Sequence, residues 1–206
     1  MTVLDRLILL ATGLVAVYLI WRFYTRYSKG KGLHDVYYIL GFAVLFVSGV
    51  LLIFFGWDLL ASPYVLTVAT LIPLGISMGL MNQYCKQYKK IYAWFALVGL
   101  LAIAITSIGG MALKSVAVPL FHGVAGLIIF LLPFFVSSKG KADKQFWWVG
   151  IGGALIGAGG IALAFLVAGK QFLFFSADFV FAILAPLLLL MTLAFAWGFV
   201  KDIVKK

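Results

Sequence analysis

The stretch Val36-Tyr37-Tyr38-Ile39-Leu40-Gly41-Phe42-Ala43-Val44-Leu45-Phe46-Val47-Ser48-Gly49-Val50-Leu51-Leu52-Ile53-Phe54-Phe55-Gly56 contains no charged residue. About 20 predominantly apolar residues in helical conformation cross the hydrocarbon core of a bilayer. In that medium a helix satisfies every backbone polar group within the segment, which a lone strand cannot do. The stretch is therefore read as a transmembrane helix. Further runs of the same kind lie at about 7–24, 64–82, 91–108, 116–137, 147–168 and 177–200. Together they make seven expected spans and leave only short connections between them.

Composition points the same way. The 206 residues are 65% hydrophobic, 17% aromatic and 11% charged, with a mean hydropathy of +1.17, whereas a soluble domain is about half apolar. The expected fold class is all-α, a polytopic integral membrane helical bundle forming a single domain over residues 1–206. Near the start of the first run Asp5 offsets Arg6, and no small-x-small cleavage site precedes the next basic stretch. That run reads as a retained helix and not as a signal peptide.

Sixteen Lys and Arg stand against six acids, a formal net charge of +10. The positions of these charges set the orientation. Arg22, Arg26, Lys29 and Lys31 lie between spans one and two; Lys86, Lys89 and Lys90 between three and four; Lys139, Lys141 and Lys144 after span five; and Lys201, Lys205 and Lys206 after span seven. Arg6, Lys114 and Lys170 fall at the opposite ends. Positive residues in short loops face the cytoplasm, so the N-terminus is expected outside and the C-terminus inside. The basic side is also expected to meet anionic lipid headgroups. Nucleic acid is not an expected partner, because no connection is long enough to fold over it.

Spans two to seven read as three helical hairpins following one lone helix. Each hairpin opens on aromatic residues at the basic side: Tyr37-Tyr38, Tyr92-Ala93-Trp94 and Phe146-Trp147-Trp148. Rings favour this headgroup level. Each returning span carries one deep proline, Pro73, Pro133 or Pro186, and each is expected to kink its helix by removing a backbone hydrogen bond. Span six is rich in glycine, and Gly153 and Gly157 have the GxxxG spacing that brings helix backbones together in lipid.

Reactive groups are few: there is no glutamate, and there are only two histidines and one cysteine. Cys85 sits beside the basic end of span three and, as a lone thiol, forms no internal disulfide. No metal site and no cofactor is expected. His34 and His122 lie near opposite faces, which does not suit paired haem ligation. Trp57, Asp58, His122 and Asp178 are all placed toward the outer face, where ionisable groups make a candidate ligand or ion vestibule. Thr67, Thr70 and Ser77 share one face of span three with Pro73, a polar stripe that lines a helix contact or a cavity.

Gly75-Ile76-Ser77-Met78-Gly79 matches the GxSxG pattern, but a nucleophile elbow needs a strand-turn-helix context, and this match lies within a span. In order along the chain, Ser77 and His122-Gly123-Val124-Ala125-Gly126 resemble the helix serine and helix histidine of rhomboid-type intramembrane proteases. That family's asparagine and histidine from an earlier helix have no counterpart here. In outline, one helix plus three hairpins with an outside N-terminus resembles the seven-helix input modules of prokaryotic receptors. The expected function is that of a non-enzymatic bundle: a subunit or accessory of a larger membrane assembly, or a sensor that signals through a partner. Its expected associates are the lipid bilayer and other membrane subunits or further copies of itself, and its expected location is a prokaryotic plasma membrane. The alternative is a small transporter or channel for a neutral, lipophilic or anionic solute. An intramembrane hydrolase or lipid-modifying enzyme is the remote third reading.

Overall fold

The computed structural model describes residues 1–161, 176 and 179–204 in full, and the backbone alone of 162–167, 177, 178 and 205. Its elements are α1 (Val3–Gly30), α2 (Leu33–Phe55), α3 (Pro63–Ala69), α4 (Leu71–Tyr84), α5 (Lys89–Ile108), α6 (Lys114–Ser138), α7 (Trp147–Val167) and α8 (Ala177–Lys205). Short 3-10 turns precede α3, α5 and α7, and no strand occurs among the described residues. Among the described residues, six helical units are long and apolar enough to cross a membrane, with α3 and α4 together forming one of them. The helix α7 has 21 residues, and residues 168–175 beyond it lie outside the described residues.

The ends of α1 follow from local chemistry. Thr2 caps its start reciprocally: the Asp5 N–H donates to Thr2 Oγ1 (3.1 Å), while Asp5 Oδ2 accepts from the Thr2 N–H (2.7 Å). Lys31 closes the other end in the left-handed region, with φ at 50°, and donates its N–H to the Tyr27 carbonyl. At about 1.5 Å per residue, the 28 residues of α1 reach well beyond the ~30 Å hydrocarbon core. The 29 residues of α8 do the same. Both helices therefore carry polar side chains past the apolar layer at the basic end.

The span made by α3 and α4 is broken at Thr70. Pro73, three residues on, has no N–H to offer the Ala69 carbonyl, so the helical ladder is interrupted there. Pro133 and Pro186, also expected to kink their helices, sit inside the uninterrupted α6 and α8, and Pro119 lies inside α6 as well. Among the three prolines singled out from sequence, only Pro73 coincides with a break between helical segments.

α1 packs on α2 and α8, α2 on α4, α4 on α6, α6 on α7, and α7 on α8. Six helices, α1, α2, α4, α6, α7 and α8, thus form a closed ring, and α5 lies outside it against α3, α4 and α6. The middle of the ring is filled. Phe23, Tyr38, Phe42, Phe146, Phe195 and Phe199 are all fully buried there. The Phe199 ring centre lies 4.8 Å from that of Tyr38, 5.1 Å from Phe23 and 5.5 Å from Phe146, the separations at which aromatic pairs attract.

Glycine sets the closest helix approaches. A Cβ on Gly75 of α4 would stand 2.9 Å from the Tyr37 carbonyl oxygen and 3.0 Å from the Gly41 nitrogen, so α2 and α4 meet backbone to backbone. On α7, a Cβ at Gly150 or Gly153 would meet the α6 backbone at Phe130 or Ile129, and one at Gly152 would meet Phe195 of α8. Gly157 has nothing within 4 Å. Gly153 therefore grips α6 within the chain, whereas among the described residues nothing stands against Gly157.

Candidate functional site

The connections 31–32, 85–88 and 139–146 and the last turns of α1 and α8 converge at one end of the bundle, the basic end. Because α1 overshoots the apolar layer, Arg26 reaches the start of α2. There Asp35 occupies the first turn, where a helix favours an acid. Arg26 Nε donates to Asp35 Oδ1 at 2.6 Å, and Nη2 stands 2.5 Å from the same oxygen. The Nη2 approach is too oblique for a hydrogen bond, which leaves this buried nitrogen in an ion pair but without a hydrogen-bond acceptor. Asp35 is 1% exposed, and His34 Nε2 lies 3.6 Å from its Oδ2.

A second buried acid, Asp202, enters from α8. Its Oδ2 accepts from the Tyr84 hydroxyl (2.9 Å) and from Gln83 Nε2 (3.2 Å), and its Oδ1 accepts from the Asp143 N–H (3.1 Å). Gln83 Oε1 accepts from the Tyr38 hydroxyl at 3.0 Å. Tyr38 comes from α2, Gln83 and Tyr84 from α4, and Asp143 from the α6–α7 connection, so one hydrogen-bonded network joins four parts of the ring. Buried polar groups are retained when they are satisfied in this way.

Beside the network opens a cleft of about 540 Å³, lined by Arg26, Gly32, Leu33, His34, Asn82, Gln83, Lys86 and Lys89. Ligand sites span about 300–1,000 Å³, so the cleft has the size of one. Three lining side chains are cations, and the amides of Asn82 and Gln83 add neutral hydrogen-bonding groups. Cys85 lies next to the cleft and is half-buried. Burial pushes its thiol above the ordinary range, and Lys141 opposes that shift.

The candidate outer vestibule is not assembled among the described residues. Trp57 stacks on Phe181 of α8, ring centres 6.3 Å apart, and packs against Leu9, Leu52 and Ala185. Asp58 is exposed in the short turn Trp57–Ala61. His122 is half-buried on α6, adjacent to Phe121, which packs with Ile103 and Ala117 between α5 and α6. No hydrogen bond or ion pair joins His122 to Asp58 among the described residues, and the side chain of Asp178 lies outside them.

The polar stripe turns back on its own backbone. Thr67 donates to the Pro63 carbonyl (2.8 Å), Thr70 to Leu66 (2.9 Å) and Ser77 to Pro73 (2.7 Å), the one-turn-back bond typical of these hydroxyls in helices. Ser77 Oγ also accepts from the Tyr92 hydroxyl of α5 at 2.7 Å. A serine nucleophile needs a base within hydrogen-bond reach; the side chain that Ser77 meets is a tyrosine, and His122 is not its partner.

Sequence reasoning gave Arg26 and Tyr38 only topological roles and passed over Asp35, Gln83, Tyr84 and Asp202. The available signal was weak but physical: two of the only six acids stand within a helical turn or so of the basic ends of apolar runs, and acids there need partners. Comparison of the chain with protein-family models, with curated proteins and with solved structures gives no match in any of the three.

Proposed function

We propose that this chain is a seven-span plasma-membrane bundle, N-terminus outside and C-terminus in the cytoplasm, that performs no chemistry of its own. It acts through other membrane proteins, as a subunit of a larger assembly or as a sensor-like module. The observation that carries this reading is the filled ring interior, where the buried rings of Phe23, Tyr38, Phe42, Phe146, Phe195 and Phe199 pack against one another, mostly edge-on or tilted. A conducting path needs a polar or water-filled lumen, so this packing favours the partner-acting bundle over a transporter or channel. Occupation of Ser77 by Tyr92 and by its own helix counts likewise against the hydrolase reading.

The test is gentle purification from the native membrane followed by mass spectrometry of whatever stays bound, with Gly157→Leu alongside. A Cβ on Gly157 would meet nothing within 4 Å among the described residues, so the substitution enlarges a position on α7 that those residues leave open. The expected result is a stoichiometric companion protein, lost from the variant if α7 forms the contact. A protein that emerges alone and moves solute across reconstituted vesicles overturns the reading in favour of a small transporter for a neutral, lipophilic or anionic solute.

A further inference from the structure

We infer that the cleft between the start of α2 and the α4–α5 junction is a binding site for a phosphate-bearing anion. This inference stands independently of the partner-acting reading, because it rests on the cleft alone.

Three cations line one concavity. Lys86 and Lys89 rise from the α4–α5 connection, both exposed, and Arg26 forms the wall contributed by α1. The carboxylate of Asp35 is turned to Arg26, leaving the two lysines as uncompensated charge at the rim. Arg26 is already engaged by Asp35 through Nε and through its buried Nη2, so it lends the wall little free charge. Asn82 and Gln83 contribute amides to the wall, and Gln83 is held by Tyr38 and Asp202. Lysine ammonium groups bind phosphate oxygens as point charges, and side-chain amides can donate hydrogen bonds to them.

The opening of α2 contributes to the wall. Gly32 at its N-cap supplies no side-chain hydrogen bond to the first turn, and Gly32 and Leu33 line the cleft. The start of this 23-residue helix, which already carries Asp35 in its first turn, borders the same space. The apolar run of α2 begins only three residues further on, so the cleft lies at the depth of lipid phosphates. The same chemistry suits a membrane phospholipid headgroup and a soluble phosphate compound.

The test uses the full chain in lipid nanodiscs and two variants. Lys86→Gln,Lys89→Gln removes the rim charge of the cleft. Lys139→Gln,Lys141→Gln removes equal charge from exposed positions at the same end of the bundle but outside the cleft. One arm compares phosphatidylcholine discs with equimolar phosphatidylcholine and phosphatidylglycerol, counting retained phosphatidylglycerol by native mass spectrometry. The other titrates inorganic pyrophosphate into phosphatidylcholine discs and follows thermal stability. At least one probe is expected to bind the wild type and the Lys139,Lys141 variant alike, and to bind the Lys86,Lys89 variant about thirtyfold more weakly. Binding of phosphatidylglycerol alone assigns the site to lipid, and binding of pyrophosphate alone assigns it to a soluble phosphate. Absence of binding in both arms, or equal weakening in both variants, overturns the inference. Circular dichroism of both variants establishes that weakening does not come from misfolding.

Discussion

Asp202 near the end of α8 accepts a 2.9 Å hydrogen bond from the hydroxyl of Tyr84, 118 residues earlier at the end of α4. The two helices do not neighbour each other around the ring; α6 and α7 stand between them on one side, and α1 and α2 on the other. Gln83 and the Asp143 N–H converge on the same carboxylate. The contact therefore acts across the ring, tying helix ends whose apolar faces supply no directional information.

Asp202→Ala removes an acceptor shared by the Tyr84 hydroxyl, Gln83 Nε2 and the Asp143 N–H, of which Gln83 Nε2 keeps a second acceptor in the Tyr84 hydroxyl (2.9 Å). It is expected to lower the stability of the purified bundle by about 1–3 kcal/mol, the usual cost of stranding buried polar groups. Tyr84→Phe removes one donor and should cost less. Because the residues share one network, the double variant should be less destabilised than the sum of the single ones. Thermal or denaturant unfolding in a fixed detergent supplies all three values, and strict additivity would mean that the network does not operate as a unit.

The Arg26–Asp35 pair gives a sharper contrast. Asp35 is 1% exposed while Arg26 retains 15%, so replacing Arg26 by Met strands an acid that cannot reach water. The expected cost is about 3 kcal/mol, the low end for breaking a buried ion pair. Arg26→Met combined with Asp35→Leu removes both charges and should recover most of that loss. A double variant less stable than Arg26→Met alone would show that the pair contributes net stability beyond mutual neutralisation.

These two clusters also show where the sequence stopped being informative. Apolar runs mark the thickness of the membrane and not the ends of helices. The first run ends near residue 24 while α1 continues to Gly30, and the last ends near 200 while α8 continues to Lys205. Arg26 and Asp202 lie in those extensions, where a reader of hydropathy sees only charged flanks. The helices themselves, and the break that Pro73 causes at Thr70, follow from local rules and were legible. The network was not, because its hydrogen bonds join residues 45 to 119 positions apart. For the expected outer cluster of Trp57, Asp58, His122 and Asp178, whose last side chain lies outside the described residues, depth in the membrane can be read from sequence, but position around the ring cannot. Trp57 sits against α8, and His122 is on α6 beside Phe121, which packs toward α5.

Glycines of one chain differ in consequence according to what a methyl group would meet. At Gly75 it would enter the contact between α4 and the α2 backbone at Tyr37 and Gly41, whereas at Gly157 it meets nothing within 4 Å among the described residues. Gly75→Ala is expected to force the helices apart at a cost of about 1–3 kcal/mol, the range for overpacking. Gly157→Ala should be neutral or slightly stabilising, since alanine is the better helix former. Parallel melting curves check the difference, and equal effects would place the α2–α4 approach in error.

Cys85 reports on orientation and environment together, because it is the only cysteine in the chain. If the basic end faces the cytoplasm, a membrane-impermeant maleimide should label Cys85 in inverted vesicles but not in right-side-out ones. Labelling only in right-side-out vesicles would reverse the topology. The rate carries separate information. Burial raises the thiol above its ordinary range, and Lys141 offsets part of that rise. A raised thiol holds less of the reactive thiolate at neutral pH, so alkylation should be slower than that of a solvent-exposed model thiol and should continue to accelerate with pH after the model thiol has levelled off. Lys141→Gln removes the opposing charge and should slow the reaction further at fixed pH. A faster reaction in that variant would mean that Lys141 acts by covering the sulfur and not through its charge.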